Sequence, residues 1–175
     1  NNILDSLDVS NNNKLEFLSC GNNELSYLDV TNCVLLTELF CQINKLSSLN
    51  LNNNTSLNSL LCSYNQMTSL DLSNNPNLRQ LYCGNNQLVS LDVRNGNNLN
   101  WNWYLKYEFV CVDNPFLSCI DVDDEIWSMS NLTVANGNID TQHYFSNNCG
   151  SGTSIKEHST NKELLKITDL LGRET

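Results

Sequence analysis

The chain has 175 residues, 9 Lys+Arg against 19 Asp+Glu, and a formal net charge of −10. That balance argues against duplex nucleic acid or an anionic membrane as the main partner, because both select Lys and Arg. No apolar run approaches the roughly 18 residues of a membrane span, so no membrane insertion is expected. Asn (32) and Leu (29) together make up about a third of the chain, which points to a repeat rather than an ordinary globular mix. There is no initiating Met and no basic-then-apolar leader at Asn1, and the chain reads as a piece of a longer secreted protein.

The repeat interval is 21 residues. Leu4, Leu25, Leu46, Met67 and Leu88 keep it, as do Leu7, Leu28, Leu49, Leu70 and Leu91, and Leu15, Leu36, Leu57, Leu78 and Leu99. Cys20, Cys41, Cys62 and Cys83 form another column, and Asn23, Asn44, Asn65 and Asn86 a further one. Each unit has two halves: Leu-x-x-Leu-x-Cys-x-x-Asn-x-Leu, as over Leu15 to Leu25, and Leu-x-x-Leu-Asp-Val-Ser-x-Asn, as over Leu4 to Asn12. This nested pattern resembles the bacterial leucine-rich repeats of about 21 residues, over residues 4 to about 100. The resemblance implies a β-rich leucine-rich-repeat solenoid: a right-handed coil with a parallel β-sheet on one face and little helix.

The alternation in Leu-x-Cys is strand chemistry, with Leu39 and Cys41 inward and Phe40 outward. The Leu-Asp-Val half is expected to be extended or weakly strand-like. A lone coil buries too few Leu-class side chains to offset the ordering of its chain, so stability must come from stacking coil on coil. Stacked turns also face backbone N–H and C=O groups inward, and an Asn side chain, with donors and an acceptor, satisfies both kinds. The columns Asn23, Asn44, Asn65, Asn86 and Cys20, Cys41, Cys62, Cys83 are therefore structural. Asn12, Cys33, Asn54 and Asn75 mark the opposite turn. The column thiols behave as small buried hydrophobes, and ligands strung along a rod cannot surround one metal ion.

After Leu99 the period breaks at an insertion, Trp101 to Tyr107, and resumes at Phe109-Val110-Cys111 with Asn114 as the turn amide. Leu117, Ile120, Asp121 and Val122 read as the last Leu-x-x-Leu-Asp-Val half, and Asp123 to Met129 as a short helix. The domain reading is repeat coils over 1–104, a last irregular coil and C-terminal cap over 105–149, and a linker with an incomplete further module over 150–175. Cys111 continues the buried column. Cys119 and Cys149 flank the cap outside the column and are expected to form a disulfide that staples it to the solenoid. Gly150 to Ser154 is a linker by composition. Lys166-Ile167-Thr168-Asp169-Leu170-Leu171-Gly172-Arg173 resembles the start of a type IX secretion C-terminal sorting domain, which implies export to the medium or the outer cell surface.

Function, on this reading, lies on the sheet face. The outward residues Ser19, Phe40, Leu61 and Tyr82, with Trp103 at the next interval, align into a stripe flanked by Tyr64, Glu38, Gln42 and Gln80. An exposed apolar row marks a binding strip for a protein or a glycan; alternatively, β-surfaces simply favour aromatics. The column Asp8, Asp29, Asn50, Asp71, Asp92 brings carboxylates together, which either Ca²⁺ or local hydrogen bonds from Ser10, Thr31 and Ser73 would relieve; the absence of calcium-loop spacing favours the local bonds. The acidic run Asp121, Asp123, Asp124, Glu125 fits a cap surface or a helix N-terminus. The two histidines, His143 and His158, belong to no nucleophile or metal motif. The expectation is a non-enzymatic binding module without cofactor or metal, a monomer or part of a longer chain, with a structural spacer as the alternative.

Overall fold

A computed structural model describes residues 2–96 and 108–150. The inward Leu of each Leu-x-Cys half sits at the centre of a three-residue strand: β1 (Phe17–Ser19), β2 (Glu38–Phe40), β3 (Ser59–Leu61), β5 (Gln80–Tyr82), with the shorter β7 (Phe109–Val110) as the fifth rung. All pair in parallel in the order β1-β2-β3-β5-β7. The register aligns Leu18, Leu39, Leu60, Leu81 and Phe109, as the 21-residue period requires. Side chains on successive rungs are one strand spacing apart, so each Leu packs on the Leu above and below it, and the core runs along the axis.

The other half of the coil differs from expectation. It forms a second parallel sheet, β4 (Ser69–Asp71), β6 (Ser90–Asp92), β8 (Cys119–Asp121) and β9 (Tyr144–Ser146). The fold therefore has parallel sheets on two faces, and Leu70, Leu91, Ile120 and Phe145 are buried along the inner side of the second. In the earlier coils the same half, 27–30 and 48–51, is extended without strand pairing. The second sheet grows toward the capped end, where side chains reinforce it. The Arg94 guanidinium is paired with Asp92 and lies 3.5 Å from Asp121, and it also donates to the Asn147 carbonyl.

The insertion sets the register of the last rung. Tyr82 pairs with Val110, so Val110 takes the place that the strict interval assigned to Trp103. The ladder resumes where Phe109 and Cys111 again supply inward side chains. Trp103 itself lies outside the described residues, as does the sorting-domain resemblance at 166–173.

The cap closes one end. Helix α1 (Glu125–Asn131) begins two residues later than the sequence suggested, capped by Asp124, whose carboxylate accepts the Trp127 N–H. Phe145, Ile139 and Leu132 are buried over the last coil, and Cys119 and Cys149 are joined in a disulfide. At the opposite end Leu7, Leu15 and Leu18 are only partly covered, and Ile3 and Leu4 are exposed.

Candidate functional site: the outer face of the longer sheet

The face of the five-stranded sheet is positioned by two ladders of side chains within the solenoid. Asn44, Asn65 and Asn86 each donate from Nδ2 to the carbonyl of the Cys three residues earlier, at 3.0 Å. Each also donates to the Cys carbonyl of the preceding coil, at 3.1–3.2 Å. Their Oδ1 atoms accept Leu25 N–H (3.0 Å), Leu46 N–H (3.0 Å) and Met67 N–H (3.1 Å), again in the preceding coil. Asn114 repeats the arrangement across the insertion. At the opposite turn Asn54 and Asn75 donate to Val30 and Cys33, and to Leu51 and Asn54, respectively, while the Cys33 thiol donates to Val9 O. These side chains fix the pitch of the coil, and thus the spacing of everything on its surface.

The thiols are interior. Cys20, Cys33, Cys41, Cys62, Cys83 and Cys111 are free and buried. Burial pushes the Cys20 thiol up to about 11, and drives Cys41 and Cys62 up as well. Thiols of this kind stay protonated at neutral pH and are poor nucleophiles and poor metal ligands. Among the described residues, no group of three or more His, Cys, Asp or Glu is placed to hold a metal ion.

The Asp column is satisfied locally. Asp8, Asp29, Asp71 and Asp92 accept the backbone N–H two residues on, from Ser10, Thr31, Ser73 and Arg94, at 2.9–3.0 Å. The Ser10 N–H bond holds the Asp8 carboxyl below its ordinary value, and at Asp29 the Thr31 hydroxyl, followed by the Thr31 N–H, does the same. At Asp92 burial works upward, and the hydrogen bonds and charge of Arg94 outweigh it.

The outward row reads Ser19, Phe40, Leu61, Tyr82, Val110 in strict register. Ser19 is exposed, and the other four are half-buried. Phe17, one position across on β1, meets Phe40 edge to face, with ring centroids 5.3 Å apart and planes at 86°. Ser59 Oγ donates to Gln80 Oε1 at 2.6 Å beside them. Tyr64 lies in the turn beyond the strand rather than on the strand face. It belongs to a column of residues with left-handed backbone: Asn22 (φ 58°), Ile43 (φ 56°), Tyr64 (φ 58°), Asn85 (φ 55°) and Asp113 (φ 59°). Sequence reasoning passed over Ile43; the signal was present, because Asn22 and Asn85 occupy the same place in the repeat. Gly84 lies beside the row, where a Cβ would stand 2.8 Å from Val112 O, so only glycine fits.

Residues 55–101 match the family model of Leucine Rich repeats (2 copies). The fold is a leucine-rich-repeat-type solenoid. Among solved structures the chain is similar to the functional domain of InlJ from Listeria monocytogenes, described as including a cysteine ladder. Identity is 23%, the match covers 82% of this chain and 46% of that one, and the TM-score is 0.35. The chain thus spans under half of the length of that domain. No curated protein matches.

Proposed function

We propose that the chain is a non-catalytic binding module of a secreted or cell-surface bacterial protein, and that it takes a protein or glycan ligand on the outer face of the five-stranded sheet. The observation that carries this reading is the row Phe40, Leu61, Tyr82, Val110: four apolar or aromatic side chains on adjacent rungs of one face, each still partly open to solvent. Partly covered aromatic and aliphatic side chains in a contiguous row gain from desolvation by a partner. The inner ladders hold the row rigid, so little ordering opposes association. The Cys119–Cys149 disulfide supports export, since such bonds persist in oxidising compartments. Type IX secretion is the export route we infer from residues 166–173.

The reading is tested by replacing Phe40, Leu61 and Tyr82 with Ser together. Retention of proteins and glycans from the surrounding medium on the immobilised chain is expected to be saturable, and lost in the triple variant with its circular dichroism unchanged. Retention that never saturates would favour a spacer, for which the continuous internal hydrogen-bond ladders are equally suited.

A further inference from the structure

Ile43 and Tyr64 are in conformations their side chains disfavour. A β-branched or bulky residue with φ near +57° crowds its Cβ against the backbone, whereas Asn and Asp tolerate the same region. Coil stacking imposes the geometry, because the N–H groups of Ile43 and Tyr64 donate to Ser63 O and Gly84 O of the next coil. The other three members of the column are Asn22, Asn85 and Asp113, which suit it. The two costly residues stand on adjacent coils and are 46% and 57% exposed, so neither is there to fill the core. They adjoin Phe40 and Leu61, three residues earlier on β2 and β3.

We propose that Ile43 and Tyr64 are the specificity anchors of the binding face, and that their occupant is a polypeptide carrying Lys or Arg beside an apolar side chain. This rests on the reading of the sheet face as a binding face. Two observations select that occupant. The outward positions of the five strands hold one charge, Glu38, and no Lys or Arg, on a chain of net charge −10; a cationic partner is complementary. In the turns that follow these strands the one cation among the described residues, Lys45, is paired with Glu24 at 2.8 Å; Lys14 and Arg79 precede β1 and β5, at the opposite edge of the face from Ile43 and Tyr64. Phe17 and Phe40 meet at 86°, so they present an edge and a face rather than one flat platform for a sugar ring, and the pair suits an inserted apolar side chain.

The test uses the full chain and a display library of short random peptides. Selected peptides are expected to be enriched in Lys and Arg together with aromatic or aliphatic residues, to bind less well as salt rises, and to lose about tenfold or more in affinity to an Ile43→Asn/Tyr64→Asn variant. The same variant is expected to melt about 2–4 °C higher per substitution, because Asn is the residue this backbone accommodates. Peptides that lose binding to the Phe40→Ser/Leu61→Ser/Tyr82→Ser variant but keep it with the Asn variant would overturn the anchor role and leave the binding face standing. Binding indifferent to both variants would overturn both. Acidic peptides, an empty selection, or a lower melting temperature in the Asn variant would each overturn the inference.

Discussion

Replacing Asn65 with Ala is the sharpest probe of what holds the coils together. Asn65 is buried in the middle of the stack and makes three good hydrogen bonds: Nδ2 to Cys62 O (3.0 Å), Nδ2 to Cys41 O (3.1 Å), and Oδ1 from Leu46 N–H (3.0 Å). The three are not equivalent once the side chain is removed. Cys62 O still receives Asn86 Nδ2, and Cys41 O still receives Asn44 Nδ2. Each of those losses is an ordinary bond, about 1 kcal/mol. Leu46 N–H is left in the interior with its acceptor gone, at about 1–3 kcal/mol. The total is about 3–5 kcal/mol, a large share of a domain's stability. Asn23→Ala is the control. Asn23 is only partly buried at the open end, and its bonds reach Leu4 N–H, Cys20 O and Gly21 O. Water replaces much of what is lost there, so the cost is about 1 kcal/mol. Urea unfolding followed by circular dichroism measures both, with a shift in midpoint and an unchanged slope. Equal costs for the two variants would refute the claim that the Asn column works through buried backbone groups.

Two further outcomes concern the cap. Cys119→Ser opens a loop closed across 30 residues, and the chain-entropy account gives a loss of about 3–4 kcal/mol, read as a lower urea midpoint; alkylation of the unfolded wild type should label the six free cysteines without reductant. His143 is buried beside Asp140, with Nε2 3.6 Å from Oδ2, and burial holds its pKa below the ordinary 6.5. Below about 6.5 the unfolded chain binds the proton more readily than the folded one, so stability falls as pH drops through that region and is retained above it. A His143→Gln variant should flatten the slope of melting temperature between neutral and mildly acidic pH, and an unchanged slope would contradict the assignment.

What the sequence disclosed and what it withheld divide along one physical line. The columns of Leu, Cys and Asn were legible because each coil presents the same environment to the same position, so the period survives in the residues themselves. The rung beside Tyr82 was not legible from the interval, because an insertion intervenes and the rung is decided by which side chain returns to the interior, and that is Phe109 with Val110 beside it. The second sheet was under-read because Leu-Asp-Val looks alike in every coil, yet only the coils from β4 toward the cap pair along it. Ile43 was missed because nothing apolar signals left-handed backbone; the Asn residues at the equivalent places in other coils carried that information.

The direction of the Asn bonds has a consequence for biosynthesis. Each amide reaches back to the coil made before it, so the interior donors of one winding stay unsatisfied until the next has left the ribosome. Leu25 waits for Asn44, Leu46 for Asn65, and Leu88 for Asn114. A growing chain therefore always trails one unfinished winding, and the series ends only when Asn138 of the cap reaches Phe109 O.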